Sequence, residues 1–158
     1  MCEYCGCRDI APIAALMDEH LELEEIAGRV RRAIAEGDEE RAADELRELI
    51  ALLGPHIRQE EDGILAALRR EPEFAGHVAE LEREHDEMQL ALAALLHADQ
   101  GWTDRVPQLL SKVLWHIDKE DDGTFPVAAV TLGADGWALV ETAEARRTAE
   151  KLVVRSEY

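Results

Sequence analysis

The stretches HIRQEEDG, residues 56–63, and HIDKEDDG, residues 116–123, are one phrase written twice at an offset of 60. Each opens on His-Ile, carries a glutamate four residues after the histidine, adds a second acid and closes on Asp-Gly. Residues i and i+4 of an α-helix share a face about one turn apart, so His56 with Glu60, and His116 with Glu120, can each aim an imidazole and a carboxylate at one point. Leu and Ile flank these positions, as in PHIRQ and LWHIDK, which turns both faces inward. A lone HxxxE in a Glu-rich helix is usually a solvated pair; a doubled one in a chain with only six histidines asks for a site built from both copies.

Around the two phrases the apolar spacing is helical. It predicts a first helix from Ile10 to about Ala35, with Gly37 closing it and Asp38 capping the next. A second helical stretch covers residues 39–70. Gly54-Pro55 should kink or restart it just before His56, because proline lacks the N–H donor and clashes one turn back. Glu71-Pro72 opens a turn, a third helix follows over 73–97, ADQGWT (98–103) breaks it, and a fourth runs over about 104–122. FPVAAVTLG either extends the fourth helix or forms a separate short turn, and 136–152 reads as a fifth, peripheral helix. Long helices with short connections predict an all-α fold: an up-down-up-down four-helix bundle with an additional C-terminal helix. The expected organisation is a Cys-containing N-terminal segment (1–9), the bundle (10–130) and a C-terminal helical extension (131–158).

The duplication reaches beyond the two phrases. The first and third helices carry Glu-His pairs, Glu19-His20 and Glu84-His85, at an offset of 65. The second helical hairpin therefore reads as a copy of the first, and a pseudo-twofold would gather equivalent side chains in the bundle interior. The set is four imidazoles (His20, His56, His85 and His116) and two carboxylates (Glu60 and Glu120). Burying these with no cation would cost several kcal/mol in desolvation. Imidazole suits Fe, Zn or Mn, and a carboxylate can bridge two cations. Six side chains cannot fill two octahedral shells. The remaining places fall to water, an oxo or hydroxo bridge, or an exogenous ligand such as dioxygen or peroxide, and an open position marks a reactive site rather than a structural one.

Composition bounds the alternatives. At 158 residues the chain is long enough for one core without staples. Seventeen Lys and Arg against 35 Asp and Glu leave a net charge of −18, which argues against nucleic acid or an anionic membrane as partner and suits cation binding. No apolar run approaches the ~20 residues of a membrane span, and no signal-peptide core follows the N-terminus. A cytoplasmic setting is the expectation, with monomer and homo-oligomer both open.

Ferritin-like bundles draw on Glu-x-x-His pairs from two helices, but only Glu82-x-x-His85 matches here. The order H…HxxxE…H…HxxxE, over residues ~10–130, instead resembles the hemerythrin family and its HHE cation-binding domain. That resemblance implies a di-iron site in which His20 and His56 hold one iron, His85 and His116 the other, and Glu60 and Glu120 bridge them. In oxygen-carrying members the last bridging acid stands five places after its histidine, where this chain has Asp121, so Asp121 is the alternative bridging acid. Those members also carry HxxxH on the third helix, and here Gln89 stands four places after His85. The missing imidazole argues against reversible oxygen carriage and for a non-haem di-iron protein reacting with O2 or H2O2, catalase-like or peroxidase-like. The alternative is a binding protein or sensor for O2, NO or iron.

Cys2, Cys5 and Cys7 form CxxCxC and are candidates for an extra Zn or Fe site, or for exposed redox-active thiols, although three thiolates fall short of the usual four ligands. His77 and His97 lie outside the repeat and read as surface residues. Trp102, Trp115 and Trp137 read as packing anchors, with shielding of the metal pocket as a further role for Trp115. Asp62-Gly63 and Asp122-Gly123 are places where each helix can loosen, since helical Gly costs about 1 kcal/mol against Ala and local geometry must need it.

Overall fold

The structure, a computed structural model, describes residues 6–96 and 101–156, and every regular element among them is helical. The helices are α1 (Ala11–Ala35), α2 (Glu39–Glu60), α3 (Ala75–Leu96), α4 (Trp102–Lys119), α5 (Phe125–Thr131) and α6 (Ala134–Ser156). No described helix is long and apolar enough to cross a membrane. Gly37, at φ +75°, takes the left-handed turn that ends α1. The Asp38 carboxylate then caps α2 by accepting the Arg41 N–H at 3.0 Å.

Pro55 does not restart the helix: α2 runs through it from Glu39 to Glu60. The carbonyl that loses its partner belongs to Ala51, on the exposed side of α2 where water can reach it. The loosening falls instead at the Asp-Gly pairs. Glu61–Leu65 and Glu120–Thr124 are both π-helical turns, the first leading into a last α-turn, Ala66–Leu68, and the second into α5. One wide turn starts directly after Glu60 and the other at Glu120, so each changes the rotation of the chain at a glutamate of the repeat.

The apolar interior falls into two clusters. One holds Leu23, Ile26, Val30, Leu46, Leu49, Leu53, Met88, Leu92, Leu110 and Val113, among others. The second holds Cys7, Ile13, Leu16, Met17, Ile64, Leu65, Leu68, Val78, Leu81, Phe125, Ala128 and Val140. Along α1 and α3 the chain leaves the second cluster, passes a repeat histidine and enters the first. Along α2 and α4 it runs through the first cluster and reaches the second only in the segments that follow, at Ile64 and at Phe125. The repeat residues therefore form a polar layer between two apolar ones.

Helix α6 closes over the π-turn of α2. A Cβ at Gly63 would stand 3.2 Å from the Ala143 Cβ and 3.4 Å from the Val140 Cα, so any larger residue there would make α6 give by a few tenths of an ångström. Arg146 adds an ion pair to Asp62 at 2.7 Å. Trp102 and Trp137 are partly buried against the two clusters, as packing anchors should be. Trp115 is not an anchor: 65% of its surface is exposed. Cys7 is fully buried and disulfide-bonded, so its sulfur is no thiolate ligand; Cys2 and Cys5 lie outside the described residues.

Candidate metal centre

His20 comes from α1, His56 and Glu60 from α2, His85 from α3, His116 from α4, and Glu120 from the π-turn after α4. All six are at most 4% exposed. They form two groups, His20 with His56 and Glu60, and His85 with His116 and Glu120, in each of which one ligand atom per residue lies within 4.8 Å of the others. The ring centroids are 4.7 Å apart in the first imidazole pair and 4.6 Å in the second. This near-equality is the pseudo-twofold that the doubled phrase implied.

The carboxylates span the two groups. Glu60 turns Oε1 to His56 Nε2 (3.1 Å) and His20 Nε2 (3.4 Å), and Oε2 to His85 Nε2 (3.6 Å). Glu120 turns Oε1 to His116 Nε2 (3.2 Å) and His85 Nε2 (3.5 Å), and Oε2 to His20 Nε2 (3.5 Å). All four Nε2 atoms, both oxygens of Glu60 and Oε1 of Glu120 are buried without a hydrogen-bond partner among the described residues. So many orphaned polar atoms converging in one apolar shell would be costly if nothing joined them. A nitrogen and carboxylate donor set of this kind fits a pair of first-row metal cations.

The outer nitrogens are all engaged. His20 Nδ1 pairs with Asp121 Oδ1 at 2.8 Å, and its pseudo-symmetric mate His85 Nδ1 pairs with Glu61 Oε1 at 3.0 Å. His56 Nδ1 pairs with Glu19 Oε2 at 2.9 Å, and His116 Nδ1 with Glu84 Oε2 at 2.7 Å. With Nδ1–H donating outward, each ring presents its Nε2 lone pair inward. Asp121 is accordingly turned to the outer nitrogen of His20 rather than into the space between the imidazole pairs, which corrects its assignment as an alternative bridge. Its counterpart is Glu61, the second acid of the other phrase. Glu19 and Glu84 had a sequence signal, the repeated Glu-His pair, but not one that told which histidine each would hold.

Burial opposes charge on every group here, and the network overrides it. It pulls the His20 imidazole down, yet Asp121, Glu120 and Glu60 hold it well above its ordinary value. Glu60 and Glu19 raise His56 against the same opposition, and Glu120 and Glu84 raise His116. His85, also desolvated, is pushed up to about 10 by Glu120, Glu61 and Glu60. Burial and Glu120 push Glu60 up, but His56 and His20 bring it below the usual carboxylate range. Burial likewise raises Glu120, whereas His116, His20 and His85 bring it well below that range. Glu60 and Glu120 are thus held ionised in an apolar shell and favour positive charge between the imidazole pairs, which protons on the rings or bound cations can supply.

The space between these groups measures about 10 Å³, close to the least that holds one water-sized molecule. Leu23, Leu53, Ile57, Met88, Val113 and Ile117 complete its walls. Gln89 is exposed on α3 and does not mark a vacancy at the site. The buried residues on either side of His85 along α3 are Leu81 and Met88, so α3 contributes a single imidazole in either direction. Met88 and His116 also line a surface cleft of about 240 Å³ between α3 and α4, with Arg83, Lys112 and Trp115 on its rim. This is where Trp115 sits, in the same cleft as His116. His77 is exposed and meets Thr124 Oγ1 at 3.1 Å; His97 lies outside the described residues.

The family model for the hemerythrin HHE cation binding domain matches residues 11–128. Neither a curated protein nor a solved structure matches the chain.

Proposed function

Because the chain belongs to the hemerythrin HHE cation-binding domain family, we propose that its His/Glu layer holds two iron ions and that the protein reacts with O2 or H2O2. Glu60 and Glu120 each offer one oxygen to either imidazole pair, and this observation carries the proposal. His20 and His56 would hold one iron, His85 and His116 the other, on an up-down-up-down four-helix bundle. The alternating order of the two apolar clusters along the chain supports that topology. A pair of irons so held supplies Fe(II)/Fe(III) couples and open positions for a small oxidant.

The chain's own residues set what can arrive and how it is kept. The apolar walls and the small volume leave no room for an organic substrate, which supports a small oxidant as the reactant. Met88 and His116 line both the cavity and the α3/α4 cleft, which makes this cleft the side from which we expect a small oxidant to arrive. Asp121, Glu19, Glu61 and Glu84 fix the rotation of the four rings, and the apolar walls keep bulk water out. The donor set also accepts Zn or Mn, so metal analysis is part of the test.

A second reading, a binding protein or sensor for O2, NO or iron without rapid turnover, is favoured by one observation. Among the described residues no ionisable side chain lines the cavity except the six proposed ligands, so turnover would lack a separate proton donor at the oxidant. Loading the protein anaerobically with Fe(II), adding H2O2 and following the optical spectrum with an oxygen electrode separates the two. Steady O2 release with about two irons per chain is the expected result. A spectral change without O2 release passes the protein to the second reading, and an iron-loaded protein inert to both O2 and H2O2 sinks the first.

A further inference from the structure

The pseudo-twofold is broken at one place in its outer shell. Around His116, Glu84 also accepts a hydrogen bond from Lys119, the residue just before Glu120. The matching position in the first phrase is Gln59, which brings no charge. Yet Glu19, the partner of His56, does meet a cation. Arg147 of α6 places Nη2 at 3.4 Å from Glu19 Oε1, while the other Glu19 oxygen takes His56 Nδ1 at 2.9 Å. The Arg147 side chain is 12% exposed, its Nε is buried without a partner among the described residues, and with Gln59 it lines one small cleft. Arg147 lies outside the repeat and beyond residues 11–128.

We propose that Arg147 is a positioning residue for the metal centre: it holds Glu19 against His56, so the C-terminal helix supplies the cation that Gln59 withholds and Lys119 supplies in the other half. This rests on the di-metal reading above. A carboxylate behind a ligating histidine commonly changes metal affinity by about 10–100-fold, and Arg147 acts one step further out on one half only.

The test uses cobalt(II), with affinity read by titration and each ligating ring by its exchangeable Nδ1–H resonance, shifted by the paramagnetic ion. Full-length wild-type protein should take two cobalt ions and show four such resonances. Arg147→Ala should loosen one ion by up to roughly 10-fold and move or broaden the His56 resonance, leaving that of His116 in place; Lys119→Ala should do the reverse. Adding Gln59→Lys to Arg147→Ala should restore the first half. Arg146→Ala, which weakens the seating of the same helix on Asp62, should leave both ions tight. Arg147→Gln gives the same reading should the alanine variant not fold. Unchanged binding and spectra in Arg147→Ala would overturn the proposal, as would equal loosening of both ions in Arg147→Ala and Arg146→Ala. A wild-type protein that takes no cobalt would instead overturn the di-metal reading on which it stands.

Discussion

Each imidazole of the polar layer divides its work between its two ring nitrogens, Nδ1 held by a carboxylate and Nε2 left facing the others. Two acids adjacent in sequence thereby take opposite duties: Glu120 faces the imidazole pairs and Asp121 grips His20 from behind. Glu120→Gln should therefore lose at least one of the two metals in metal analysis of the purified variant. Asp121→Asn should keep both and bind the one beside His20 about 10–100-fold more weakly; the opposite ranking would reassign the bridge. The six inward side chains were legible from sequence because their spacing is local and doubled. Their outer partners were not, since the acid that holds His20 lies 101 residues away along the chain. Gln89 misled for a different reason. Steps of three and four residues lie about equally close to one face of a 3.6-residue helix, and the packing of α3 brought Met88 inward and left Gln89 outside.

The π-helical turns are the elements that join the layer to the rest of the fold. Both carry Asp-Gly, but the two glycines meet different surroundings. Gly63 lies under α6, whereas a Cβ at Gly123 would touch nothing within 4 Å. Gly63→Val should push against the α6 backbone and cost about 1–3 kcal/mol in chemical denaturation. Gly123→Ala should instead stabilise by about 0.4–1 kcal/mol, through the loss of freedom in the unfolded chain. A destabilising Gly123→Ala would mean that this turn needs glycine for its own conformation. The repeat made both turns visible in the sequence as places of loosening. What seats on Gly63 was not visible, because α6 has no counterpart in the duplication. Pro55 shows the complementary case: a strong local signal for a break was overridden by helix packing on both sides of it, with Leu53 and Ile57 both buried.

Across the whole molecule, two apolar clusters hold a polar layer that is incomplete without cations. A metal that binds only the folded chain stabilises it by about 2.7 kcal/mol at one hundred times its Kd. For a chain of this size that corresponds to about 5–10 °C in Tm, so scanning calorimetry with and without metal should show a rise of that order, reversed by a chelator. Core changes away from the layer should act on stability alone. Leu46→Ala, in the cluster beyond His56, should cost about 2–5 kcal/mol and leave the metal content unchanged. Apolar periodicity made the bundle readable, and the doubled phrase located its centre. The part played by the C-terminal helix emerged only from the packed structure. The most direct test of the whole account is anomalous diffraction at the iron edge from crystals of iron-loaded protein. It should show two peaks roughly 3.5–4 Å apart, one beside His20 and His56 and one beside His85 and His116, with Glu60 and Glu120 spanning both. A single peak, or iron bound anywhere but between those two imidazole pairs, would contradict it.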